Sequence, residues 1–396
     1  MVLAERMSRL GTETAFEVLA KAKALEAEGR DIVHLEIGEP DFDTVGPIVD
    51  VAVRALRDGQ HHYTPSAGIL PLREAIAREV SSSRHIEVDP DEVVVTPGAK
   101  PIMFFTLLAL AEEGSEVIYP DPGFPIYESM IRYVGARPVP VQLRESLDFR
   151  MNVQELIEAA SDRTRLIILN SPNNPTGSVL LKEDLEQLVK RFAGSGVMFL
   201  SDEVYNRIIY EGEHHSIASF PGMKDQTIIL DGFSKSYAMT GWRLGYGVMN
   251  RQLAGQITKL MVNSNSCTAA FAQLAGVEAL EGDQGPVTSM VNTFRQRRDR
   301  VVELLNQIEG VSCRLPRGAF YVFPNVKAFN LKSAQLEDDL LRQAGVALLA
   351  GTSFGEYGEG YLRLSYATSM EQLEAGIARI AEALEPLPKL TLEDRV

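Results

Sequence analysis

The stretch Asp231-Gly-Phe-Ser-Lys-Ser-Tyr-Ala-Met-Thr-Gly-Trp-Arg243 follows directly on the apolar run Thr227–Leu230. A lysine just past a buried strand is poorly solvated, and burial lowers its pKa. Such a lysine can act as a neutral amine and form a Schiff base with a carbonyl. Eight residues on, Arg243 offers a planar fork suited to a phosphate, and Ser234 adds a hydroxyl. The same residues also admit a plainer reading, as a surface lysine and a structural arginine on a loop.

Three further stretches carry chemistry. In Val93-Val-Val-Thr-Pro-Gly-Ala-Lys100, strand, small-residue turn and helix start would aim free amides at an anion; an ordinary βα turn is the alternative. In Leu166-Ile-Ile-Leu-Asn-Ser-Pro-Asn-Asn-Pro-Thr-Gly177, two asparagines set amides in a rigid turn at a sheet edge, or simply form a turn. In Phe199-Leu-Ser-Asp-Glu-Val-Tyr205, Asp202 ends a buried strand, which costs several kcal/mol unless a cation or donor compensates. A helix N-cap would also explain it. Together the four stretches imply a phosphorylated, carbonyl-bearing cofactor with a protonated ring nitrogen. Pyridoxal 5′-phosphate needs those partners. Dinucleotide and P-loop readings lose their main support, because neither G-x-G-x-x-G nor G-x-x-x-x-G-K-[ST] occurs.

The elements that must position these residues are legible too. Apolar runs at Glu92–Thr96, Ser115–Tyr119, Ala136–Val141, Arg165–Asn170, Val197–Ser201, Thr227–Leu230 and Leu244–Met249 alternate with helical patterns such as Lys182–Phe192. That alternation predicts an α/β fold with a mostly parallel sheet, whose ligands bind at the carboxyl strand edge. Residues 14–29 read as a helix, followed by extended Asp31–Ile37. From about residue 285 a long helix leads to short strands at Gly318–Phe323 and Gly360–Ser365. The expected division is residues 1–45 joining a small C-terminal α+β domain at 283–396, with 46–282 as the large cofactor-binding domain. The 396 residues carry 39 Lys+Arg against 54 Asp+Glu, a net charge of −15, which argues against nucleic acid or anionic membrane as a partner. Two cysteines, Cys267 and Cys313, make no disulfide framework, and no signal peptide or membrane span is visible. A cytoplasmic location is expected, with no metal.

On these motifs the chain resembles a class I pyridoxal-phosphate aminotransferase, of the fold-type-I aspartate aminotransferase superfamily, from about Ile32 to Ser369. Ser234–Arg243 and Ser171–Gly177 are the most specific matches. The resemblance implies a seven-stranded large-domain sheet and transfer of an amino group from an L-amino acid to a 2-oxo acid, such as 2-oxoglutarate or pyruvate, by a ping-pong mechanism. It implies that Lys235 holds the cofactor covalently and shuttles a proton between Cα and C4′, while Asp202 pairs with the ring nitrogen. Asn174 and Tyr205 would bond the ring hydroxyl, and Phe124 would stack on the ring. Gly98, Ala99, Lys100, Ser234 and Arg243 would cup the phosphate. Arg363, in Tyr361-Leu-Arg-Leu-Ser-Tyr366, would grip the substrate α-carboxylate near Gly38 and Asn174. Tyr63 would reach the neighbouring site of a homodimer. Phe124 stands where many relatives carry Tyr or Trp, Pro101 where glutamine is frequent, and no second cation for a distal carboxylate is identified. A C–S lyase or other β-eliminating enzyme of the same fold, and a non-catalytic effector-binding regulator, are the rival readings.

Overall fold

All seven apolar runs become strands of one sheet. The computed structural model describes residues 2–390. Residue 1 and residues 391–396 lie outside the described residues, so the outer limits of the expected segments 1–45 and 283–396 are not covered. The strands are β1 Val33–His34, β2 Val93–Thr96, β3 Glu116–Asp121, β4 Arg137–Gln142, β5 Thr164–Asn170 and β6 Met198–Asp202. They continue as β7 Thr227–Gly232, β8 Gly245–Val248, β9 Tyr321–Val322, β10 Val346–Ala347, β11 Leu349–Ala350 and β12 Leu362–Ser365. The large sheet has the order β2-β8-β7-β6-β5-β3-β4. Helices cover both faces, so strands such as β2 and β7 are buried throughout, which is why they read as unbroken Val and Ile runs.

Two details differ from the sequence expectation. The site strands run further than their apolar runs: β3 reaches Asp121, β6 reaches Asp202 and β7 reaches Gly232. Backbone pairing keeps a strand going past its last apolar side chain, as Asp202 opposite Leu230 and Asp121 opposite Gln142 illustrate. The strand expected at Leu244–Met249 is also not parallel to the rest; β8 is antiparallel to both β2 and β7. Its leading end, not its carboxyl end, therefore lies at the ligand edge.

The helix expected over 14–29 spans Thr14–Ala27, and Lys182–Phe192 is a helix as read. Of Asp31–Ile37 only Val33–His34 form a strand, which pairs parallel with β10. The N-terminal segment thus returns to the C-terminal part of the chain. There the helices Gly285–Leu305 and Met370–Leu384 share a core with β1, through Phe294, Val301, Leu305, Leu373 and Ile377. β11, β12 and β9 form a small antiparallel sheet beside them. Among the described residues no helix is long and apolar enough to cross a membrane.

Candidate active site

Gly245, the first residue of β8, lies opposite Thr96 of β2 on one side and Gly232 of β7 on the other. That pairing brings the turn after β2 and the lysine loop after β7 to one edge. The approach is close: a Cβ on Gly245 would strike the backbone of Gly98 and Ala99, and one on Gly98 would strike the Arg243 guanidinium. Gly98 has φ +83°, a conformation that suits glycine. Arg243 itself sits at φ +53°, is exposed, and donates from Nη1 to the Thr240 carbonyl at 2.7 Å. The helix Lys100–Leu110 starts beside it, with amides free to meet an anion.

Lys235 donates its ammonium to the Gly38 carbonyl. Burial pushes that ammonium down to about 8, against the opposing pull of Glu39. Asp202 is buried and accepts from the Tyr127 hydroxyl at 2.5 Å and the Val204 amide at 3.4 Å. Neither donor is a cation. Arg84, also buried, instead serves Glu203 at 3.0 Å and Asp231 at 3.2 Å. Burial therefore pushes the Asp202 carboxyl up to about 6. Its neighbours form a turn rather than a helix, so the N-cap explanation fails.

Arg363 is buried, and its guanidinium lies between the rings of Tyr321, 4.6 Å away, and Phe354, 4.9 Å away. It donates to Asn174 Oδ1 at 3.3 Å and to the Glu36 carbonyl, while Nε has no partner. None of its bonds is to a carboxylate, and burial lowers its pKa. Tyr205 shares a 2.7 Å hydroxyl–hydroxyl bond with Tyr321, whose own hydroxyl lies over Gly38.

One cavity of about 560 Å³ is lined by Lys235, Asp202, Asn174, Arg363, Phe124 and Arg243. Gly38, Ala99, Lys100, Tyr205 and Ser234 line it as well, and Gly98 backs Arg243. Two expected residues lie apart from the cluster that the others form. The Lys100 ammonium does not join Arg243: it pairs with Glu13 at 2.5 Å and lies 5.3 Å from the Phe124 ring centre. A long side chain at a helix start follows the nearest carboxylate, and Glu13 brings one to the cavity wall. The sequence singled out Lys100 but not its pairing with Glu13. Tyr63 is 90% exposed and does not line the cavity of its own chain.

Tyr127, Tyr321, Phe354 and Glu13 also escaped the sequence reading. Tyr321 carried a faint signal, lying in the expected strand Gly318–Phe323; the others had none that spacing could supply.

The residues present fit pyridoxal phosphate: a buried carboxylate without a cation for a ring nitrogen, a depressed amine for the aldehyde, and a glycine-lined arginine for the phosphate. Comparison with known proteins agrees with the class this site defines. A family model described as aminotransferase class I and II matches residues 30–380. A probable aspartate/prephenate aminotransferase of Aquifex aeolicus is 41% identical, over 97% of this chain and 99% of its own. An aspartate aminotransferase of Pyrococcus horikoshii is 39% identical, over 97% of both chains. The solved aspartate aminotransferase of Thermus thermophilus with maleate superposes with a TM-score of 0.93 at 35% identity, covering 97% of this chain and all of that one. The chain belongs to the class I and II aminotransferase family, and it is a transaminase.

Proposed function

We propose that this transaminase binds pyridoxal 5′-phosphate in the 560 Å³ cavity and moves the amino group of an L-amino acid to a 2-oxo acid by alternating half-reactions. The observation that carries the reading is the convergence there of Lys235, Asp202 and Arg363. When bound, the cofactor supplies an electron sink for the bond broken at the substrate α-carbon. Asp202 keeps a proton on the ring nitrogen. Asn174 and Tyr205 would bond the ring hydroxyl, and Phe124 would stack on the ring. Ser234, Arg243 and the turn Gly98–Lys100 hold the phosphate, Lys100 through its backbone. Lys235 would hold the cofactor through its aldehyde carbon, and its amine is the base placed to take the proton from the substrate Cα. Arg363 and Gly38 hold the α-carboxylate; a buried guanidinium bonded to no carboxylate suits a planar, bidentate partner.

Cofactor residues come from 46–282, and the substrate arginine from 283 onward, so we place the substrate at the junction of two domains. Tyr63, 90% exposed in the single chain, suits a homodimer in which it reaches the partner's phosphate. Finding only monomers by ultracentrifugation would end that part. Two free cysteines suit a cytoplasmic enzyme.

Substrate choice turns on Lys100. Its charge is matched by Glu13, so the pair offers a distal carboxylate no net attraction. Neutral donors therefore compete well with aspartate. Titrating holoenzyme with single amino acids, and following the cofactor's visible absorbance, tests transfer and ranks donors together. A preference for aspartate above about a hundredfold, ~2.7 kcal/mol, would refute the neutral-donor reading. Glu13→Gln is expected to shift the ranking toward aspartate and glutamate.

A further inference from the structure

Asp121 ends β3, three residues before Phe124, and is buried. Its carboxylate accepts the backbone amides of Glu356 at 3.2 Å and Tyr357 at 3.3 Å, from the far side of the cavity junction. Gly355, at φ +129°, lies so close that a Cβ there would strike the carboxylate. A second bond ties the same two pieces together: the Gly123 amide donates to the Phe354 carbonyl at 2.7 Å. Phe354 is the residue whose ring lies 4.9 Å from the Arg363 guanidinium. The segment that Asp121 holds is thus the one that carries a ring against Arg363.

We infer that Asp121 is a positioning residue for substrate binding: its carboxylate fixes the segment 351–358, and through Phe354 fixes the orientation of Arg363. The inference rests on the reading of Arg363 as the α-carboxylate grip. A carboxylate capping two amides could be structural alone, as many are. What ties this one to the site is the single ring between the capped segment and the guanidinium. The charged and titratable groups around Asp121 are Glu128 from the helix Ile126–Tyr133, with Arg132 of that helix paired to Glu128 at 2.6 Å, Glu356 from the held segment and Tyr119 from β3. Burial, with those two glutamates, pushes the Asp121 carboxyl up to about 7 against the pull of the two amides. Above that pH the ionised group accepts from both amides; below it, a proton occupies one acceptor oxygen. The segment is then held less firmly as pH falls, and the substrate carboxylate is gripped less well.

The test uses holoenzyme and the 2-oxo acid substrate, which has no amine to titrate. In the parent enzyme KM is expected to rise several-fold, about three- to tenfold, as pH falls from about 8 to about 6. Asp121→Asn should hold the higher KM at every pH. Hydrogen exchange should then show lost protection at residues 354–358 with β5 and β6 still protected. Asp121→Asn with parental protection and a parental pH dependence of KM would overturn the inference. Should that variant lose protection across the whole sheet, Gly355→Ala carries the comparison, since it presses on the same carboxylate from the loop. Arg363→Lys separates the two readings. If it leaves KM unchanged, the grip is wrong and the inference falls with it, whatever the loop does. If it raises KM while Asp121→Asn does not, only the role of Asp121 is wrong.

Discussion

Tyr127 donates its hydroxyl to Asp202 at 2.5 Å, with both side chains buried. Burial and the neighbouring carboxylate push the tyrosine's pKa well above its usual value, so the phenol stays protonated and donates. The bond in turn holds the Asp202 carboxyl lower than burial alone would put it. Tyr127→Phe should raise the Asp202 pKa above about 6. Cofactor affinity of the apoenzyme then weakens about tenfold, ~1.4 kcal/mol, and its acid limb moves to higher pH. Fluorescence titration of apoenzyme across pH measures both.

Asp202→Asn is expected to trade function for stability. The carboxyl's pKa is raised on folding from 3.8 to about 6. Its favourable contribution is thus complete below the unfolded value and is lost as pH rises through about 6. An amide at this position removes that loss, so the apo variant should be more stable than the parent above that pH, by on the order of 3 kcal/mol, and about equally stable near pH 4. Turnover should fall by orders of magnitude, because a neutral amide does not hold a pyridinium. Calorimetry and steady-state kinetics decide the two halves separately.

Lys235 must be neutral to attack an aldehyde. With its pKa lowered to about 8, the rate of covalent cofactor uptake by apoenzyme should climb through that pH and level off above it. Stopped-flow absorbance reads this directly. A midpoint near the ordinary lysine value of 10.5 would contradict the buried amine. Lys235→Ala should keep the fold and some non-covalent cofactor while losing nearly all turnover.

Gly98→Ala places a methyl against the Arg243 guanidinium at a backbone φ of +83°. Affinity for pyridoxal phosphate should fall by about tenfold or more, since displacing the arginine removes a charge-assisted bond. Affinity for pyridoxal, which lacks the phosphate, should change little. Equal losses for both ligands would place Arg243 outside the phosphate site.

The sequence by itself determined the strands and the residues that end them. Val93–Thr96 and Thr227–Leu230 are apolar because both faces of each strand are covered; Lys235 follows such a strand and Asp202 ends one, which is how both are picked out. Those are local signals of periodicity and turn chemistry. Which side chains face one another is not local. Tyr127 meets Asp202 across 75 residues, and Arg363 meets Glu36 across 327. The antiparallel entry of β8 brings Gly98 to Arg243, and the path of the N-terminal segment turns Lys100 toward Glu13. Strand order and chain direction decide those pairings, and they are settled by packing the whole core at once, so no window of sequence contains them.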